Sequence, residues 1–283
     1  MDMSIETIRF QEQLDAVQLT YKNDHASISL SGGHILGYKA NGEERLWMSP
    51  KANLEAGKSI RGGIPVCWPW FGAHPTDESK PAHGFARTAI WSLIDAQDSE
   101  DFASVTLGLD NSVANPLFPY DCSLALKVTL SDKLSVELIT TNLGNKPIEI
   151  TQALHTYLPI SDLDNASISG LEGVEYADKL QRFARSTEDR SLVILKEPTD
   201  RVYFDDSNCL ILKDENRETR IYKQNSGTTV VWNPGRETAS NMADIGVENY
   251  RDFLCIEAAN AMEDKITIEP GESFTLRQGI DTL

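Results

Sequence analysis

The chain has 283 residues and 31.4 kDa, and its 26 Lys and Arg against 43 Asp and Glu give a formal net charge of −17. With no Lys/Arg block, that balance argues against a nucleic-acid or anionic-membrane surface as a partner. No stretch approaches the ~18 apolar residues of a spanning helix, and Asp2 and Glu6 replace the basic-then-apolar run of a secretory leader, so a cytoplasmic address is expected.

In chain order, the first segment of distinct character is Arg61-Gly62-Gly63-Ile64-Pro65-Val66-Cys67-Trp68-Pro69-Trp70-Phe71-Gly72, followed by His83-Gly84-Phe85-Ala86-Arg87. It holds too much Gly and Pro for a helix or a central strand and reads as a binding loop. Arginine grips phosphate bidentately, Gly62-Gly63 would admit backbone N–H groups to an anion, and Trp or Phe faces suit the C–H side of a sugar. In so acidic a chain an anion must be held by a local exception, which singles out Arg61 and Arg87.

Strand patterns follow. Phe102 to Leu109 is one run; Leu124 to Leu130 and Leu134 to Thr141 alternate around the turn Ser131-Asp132-Lys133 and predict a hairpin. After the turn cluster Asn142 to Pro147, Ile148 to Leu158 resumes a strand. Shorter runs lie at Leu192 to Leu195, Val202 to Phe204, Cys209 to Leu212, Thr219 to Tyr222, Thr228 to Trp232, Phe253 to Ala258, Lys265 to Ile268 and Ser273 to Gln278. Ala239 to Asp252 is the best helical candidate. Many short strands without long amphipathic helices predict an all-β fold, a large antiparallel β-sandwich with few short helices, and with no linker residues 1–283 read as a single domain. Acidic clusters such as Asp205-Asp206 and Asp214-Glu215 are expected to be solvated turns.

Three residues stand out for chemistry. Period-2 alternation places His155 on a semipolar strand face with Thr151, Ala153 and Tyr157; the alternative is a hydrogen-bonded packing histidine. Glu257 interrupts the apolar Phe253 to Ala259 run, and a carboxylate is seldom buried there without an ion-pair partner or a task. Together they could supply a general acid and a general base. Asp200 stands at a strand entry, where Asp more often ends a turn. His25, His34 and His74 lack a convergent context and are assigned to surface or packing. Cys67, Cys122, Cys209 and Cys255 lack CxxC spacing and read as reduced, buried thiols. With no metal-spaced cluster, P-loop or dinucleotide fingerprint, no metal and no cofactor are expected.

The loop motifs, with Thr199-Asp200-Arg201-Val202-Tyr203, Trp232-Asn233-Pro234 and Cys255-Ile256-Glu257, resemble those of the D-hexose-6-phosphate mutarotases, or glucose-6-phosphate 1-epimerases, of the galactose-mutarotase-like superfamily. The match runs in order from about Gly32 to the C-terminus. The resemblance implies a β-supersandwich that interconverts the α and β anomers of a hexose 6-phosphate. It implies His155 and Glu257 as catalytic residues, Arg61 and Arg87 on the phosphate, and His83 and Asp200 on sugar hydroxyls. Some members carry Gln before the His-Gly pair, where this chain has Ala82. The expected partner is a small-molecule sugar phosphate, bound by a monomer. In that scheme Glu257 is the base at O1 and His155 the acid at the ring oxygen, so the pair is expected to start as a carboxylate and an imidazolium. The rivals are an aldose 1-epimerase acting on free sugars and a non-catalytic carbohydrate-binding module.

Overall fold

Antiparallel pairing organises the chain in a computed structural model that describes residues 4–110, 115–195, 198–215 and 217–282. A nine-stranded sheet runs in the order Val193–Ile194, Ala166–Ser169, Cys209–Asp214, Arg217–Gln224, Ser273–Thr282, Leu134–Asn142, Cys122–Leu130, Ala103–Asp110, Ser92–Asp98. The predicted hairpin lies inside it, with Val136 opposite Val128 and Leu138 opposite Leu126. A second sheet runs Ala184–Thr187, Glu175–Asp178, Thr199–Tyr203, Thr228–Asn233, Phe253–Asn260, Gln152–Leu154, Val66–Cys67, and Tyr157–Pro159 also pairs with Phe253–Asn260.

The two sheets share one core. Leu126, Val128, Leu138 and Leu276 from the first meet Leu154, Leu158, Val231, Leu254 and Ile256 from the second. Each such side chain gains roughly 1.5–3 kcal/mol by leaving water. On the opposite face of the second sheet, alternate residues are small: Cys67, Ala153, Val202, Val230 and Ala259 form a separate cluster. Glu257, paired with Val230, lies on this face of short side chains.

The sequence patterns missed a five-stranded meander, Ile5–Phe10, Leu14–Tyr21, Asp24–Ser29, His34–Ala40 and Glu43–Glu44. Its strands bury polar as well as apolar residues, Ser27, Ser29 and His34 among them, so no clean alternation marks them. Ser92–Asp98 was missed for the opposite reason, since every residue of it is exposed. The predicted single strand at Ile148 to Leu158 is three: Ile148–Ile150, Gln152–Leu154 and Tyr157–Pro159. The predicted helix at Ala239 to Asp252 is instead Gly235–Ser240 followed by turns. Asn233 imposes that path, because its side chain accepts from the Gly235 N–H and donates to the Tyr250 and Phe253 carbonyls.

Two of the acidic clusters are only half solvated: Asp206 and Glu215 are exposed, but Asp205 and Asp214 are buried. Asp205 is buried against Lys223 at 3.2 Å and accepts from Thr229, and Asp214 accepts from the Ser161 backbone and hydroxyl. A buried ion pair with all its hydrogen bonds made fixes chain position more than it adds stability. Among the described residues no helix is long and apolar enough to cross a membrane.

Candidate active site

His155 sits in the break between Gln152–Leu154 and Tyr157–Pro159, where the Gly63 to Pro65 segment takes over as hydrogen-bond partner. Its backbone N–H donates to the Pro65 carbonyl at 3.1 Å, and that of Tyr157 donates to the Gly63 carbonyl at 2.9 Å. The glycines at 62 and 63 have φ of +111° and +62°, and a Cβ would meet Met48 Cα at 2.6 Å and the Ile35 carbonyl at 2.1 Å. Close backbone packing, rather than the expected approach to an anion, is what requires them. His34 completes this wall, its Nε2 paired with the Gly62 carbonyl at 2.8 Å.

The His155 ring stacks on Tyr157 at 4.9 Å and meets Trp232 and His83 edge-on at 5.8 Å each. Glu257 reaches it from the middle of Phe253–Asn260, with Oε1 3.3 Å from His155 Nε2. Glu257 is 1% exposed and His155 8%. Neither Glu257 oxygen takes a hydrogen bond from the protein, and His155 Nδ1 has no partner either. Such a buried, unpartnered carboxyl is costly and calls for a ligand that completes it.

Burial disfavours the charged pair expected from the sequence. Burial first, then His83, Arg61 and Arg87, holds the His155 imidazole well below its usual range. Burial likewise pushes Glu257 well up, aided by Asp200 and opposed by Lys179. Mutual attraction would have moved each group the other way, so desolvation outweighs it. Both directions favour the neutral pair, a protonated carboxyl beside a neutral imidazole, over the charged one.

The structure brings the other predicted residues to the same face. His83, in the left-handed region at φ 65°, accepts from the Gly72 N–H through Nδ1 and packs edge-on against Phe71 at 5.0 Å. Burial, then Arg87, Lys179 and Arg61, lowers its pKa to about 3. Asp200 lies within Thr199–Tyr203, with Oδ1 3.0 Å from Lys179 Nζ, and burial raises its pKa. Arg61 donates from Nε to Asp244 at 3.0 Å and from one terminal nitrogen to the Tyr157 hydroxyl at 2.8 Å, which leaves its other terminal nitrogen for a ligand. Arg87, in the short turn Ala86–Thr88, donates to the carbonyl of Ala82 at 2.7 Å.

Two expectations need correction. Trp68 is fully buried in the main core, donating to Thr140 Oγ1 at 3.0 Å, and so offers no face to a sugar, whereas Trp70, buried beside Phe85, lines a cavity together with Phe71. Phe71 and Trp232, both half-buried, supply the aromatic lining instead. Sequence spacing also hid a donor trio, since ligand atoms of His155, Cys255 and Glu257 lie within 4.8 Å of one another. That set resembles a zinc site in composition. Burial and Glu257 push the Cys255 thiol well up, which keeps it protonated in the metal-free protein.

Lys179 and Asp244 escaped the sequence reading. Each is an ordinary surface-type residue in a turn, and only the pairing of Glu175–Asp178 with Thr199–Tyr203 carries Lys179 to Asp200.

The aldose 1-epimerase family pattern matches residues 15–281. A curated relative from Escherichia coli K12 is described as a glucose-6-phosphate 1-epimerase and a solved structure from Salmonella typhimurium as a mutarotase, each with the qualifier "putative". The first is 34% identical over 91% of this chain and 87% of the relative. The second is 28% identical with a TM-score of 0.90, over 99% of this chain and 93% of that one. A galactose mutarotase-like protein from Clostridium acetobutylicum, 16% identical, shares the fold with a TM-score of 0.77 over 99% of this chain and 98% of its own.

Proposed function

The chain belongs to the aldose 1-epimerase family, and from that premise we propose that it interconverts the α and β anomers of a hexose 6-phosphate, glucose 6-phosphate first, using side chains alone. The observation that carries this reading is the His155–Glu257 pair, buried, in contact and short of hydrogen bonds. Opening a hemiacetal removes a proton from O1 and delivers one to the ring oxygen; rotation about C1–C2 and the reverse transfers close the other anomer. One base and one acid suffice, each contributing ~10²-fold or more.

The protonation of the free protein fits this cycle once substrate binds. A sugar O1–H donating to the empty Glu257 oxygen stabilises the carboxylate, and the shared proton passes to His155, which then faces the ring oxygen as the acid. Lys179, which already favours the charged carboxylate, acts in the same direction. Asp200 and His83 hold ring hydroxyls. Arg87 and the free nitrogen of Arg61 take the phosphate, the local cations that a chain of net charge −17 needs for an anionic substrate.

The test is anomer-exchange NMR on glucose 6-phosphate and on glucose, with and without protein. Acceleration for the phosphate well beyond that for glucose supports the reading. Acceleration for glucose alone supports the rival aldose epimerase, and saturable sugar binding without exchange supports a binding module.

A further inference from the structure

The turn that carries Lys179 is held in place at evident conformational cost. Asp178 caps it, accepting from the Leu180 N–H at 3.0 Å while its other oxygen takes Arg201 Nε at 3.3 Å. The next two residues, Arg182 and Phe183, both lie in the left-handed region, with φ of 55° and 62°. Non-glycine residues rarely occupy that region, and two in succession point to a position that the surroundings insist upon. The result is a Lys179 ammonium 3.0 Å from Asp200 Oδ1 and 5.7 Å from the centre of the Phe71 ring.

Phe71 in turn contacts His83, and His83 contacts His155, so one chain of touching side chains leads from Lys179 to the proposed acid. On its outer side Lys179 lines a cavity of about 560 Å³ with Trp70, Phe71, Thr151, Val202 and Met262. It therefore both lines that cavity and serves as the counter-ion of a mostly buried Asp200.

We propose that Lys179 is a positioning residue for anomer exchange, fixing Asp200 at the cleft wall and keeping a positive charge beside the Glu257 carboxyl throughout the cycle. This rests on the functional reading above. The groups facing Glu257 are His155 and Tyr157 from the broken strand, Cys255 from its own strand, Cys67 from Val66–Cys67, Asp200 from Thr199–Tyr203, and Lys179 from the turn. Among these Lys179 is the permanent cation. Without it, the charge on Asp200 stands uncompensated and disfavours a second negative charge at Glu257.

The experiment compares Lys179→Met and Lys179→Arg with wild type in two measurements. Anomer exchange should fall in Lys179→Met on the order of tenfold in kcat, equally for glucose 6-phosphate and glucose, with the alkaline limb of the pH profile moved upward, and Lys179→Arg should recover most of both. A loss confined to glucose 6-phosphate would show that Lys179 grips the phosphate and would overturn the proposal. So would a lowered melting temperature with an unmoved pH profile, or no change at all. The second measurement, carboxyl ¹³C NMR titration of Glu257, needs no turnover: its titration should move upward in Lys179→Met. An unmoved titration overturns the proposal even if wild type exchanges neither sugar, an outcome that by itself defeats the functional reading alone.

Discussion

His155 Nε2 lies 3.3 Å from Glu257 Oε1, yet neither oxygen of that carboxyl takes a hydrogen bond from the protein. The pair is in contact and unsatisfied, an arrangement that costs stability unless a substrate completes it. His155→Ala and Glu257→Gln should each lower exchange of glucose 6-phosphate by ~10²-fold or more, with circular dichroism and melting temperature close to wild type. A folded variant of either kind that retains near-normal exchange would remove that residue from the chemistry.

The pH dependence follows from the directions of the two shifts. With one shared proton, the working form loses activity in acid when His155 gains a second proton, and in alkali when Glu257 loses the only one. The acid limb of kcat/KM should lie well below 6.5 and the alkaline limb well above 4.5. An acid limb at 6.5 with glucose, which has no phosphate to titrate, would mean that the imidazole titrates as if in water.

The two arginines should separate. Arg87 touches no member of the His155–Glu257 pair by hydrogen bond, and a charge-assisted bond to phosphate contributes about 1.5–3 kcal/mol. Arg87→Ala should therefore lower kcat/KM for glucose 6-phosphate at least tenfold and leave glucose nearly unchanged. Arg61 holds the hydroxyl of Tyr157, whose ring stacks on His155, so Arg61→Ala should lower both sugars. Equal losses in the two variants would erase this distinction.

His34 should make the fold acid-sensitive. Burial lowers its pKa to about 4 from the ordinary 6.5, so the unfolded chain takes up the proton first as acid is added. Its contribution is complete above pH 6.5 and is lost as pH falls through 4, up to about 3 kcal/mol from this residue. The urea midpoint of wild type should drop between those two pH values, and His34→Gln, which can still donate to the Gly62 carbonyl, should drop less.

Chelation should leave exchange unchanged. The acid/base cycle proposed here uses side chains alone, and the place where a metal would contradict it is the His155, Cys255 and Glu257 trio, whose ligand atoms lie within 4.8 Å of one another. Loss of rate after exhaustive EDTA treatment, restored by one added divalent metal, would reverse that conclusion.

The hairpin around Ser131-Asp132-Lys133 was legible because each strand buries one face and wets the other, leaving a period of two in the residues. Ser27 and Ser29 hid the N-terminal meander by being buried and polar. Glu257 was legible as a charge inside an apolar run, and His155 by its neighbours. Trp68 misled because a loop composition says nothing of which way a side chain turns, and here it turns into the core. Lys179 and Asp244 carried no local signal, since their partners, Asp200 and Arg61, arrive from remote parts of the chain.

Because the Ile256 N–H donates to the Thr156 carbonyl at 3.2 Å and Leu154 pairs with Ala258, His155 and Glu257 ride on rungs of a single ladder. Their spacing is locked to main-chain bonds that open only when the sheet does. Backbone amides at 256 and 258 should then be among the slowest to exchange with deuterium, while those of the Lys179 turn exchange through local fluctuations. Heat should accordingly abolish turnover in one step with global unfolding, whereas limited proteolysis at that turn should blunt the reaction while the ladder stands.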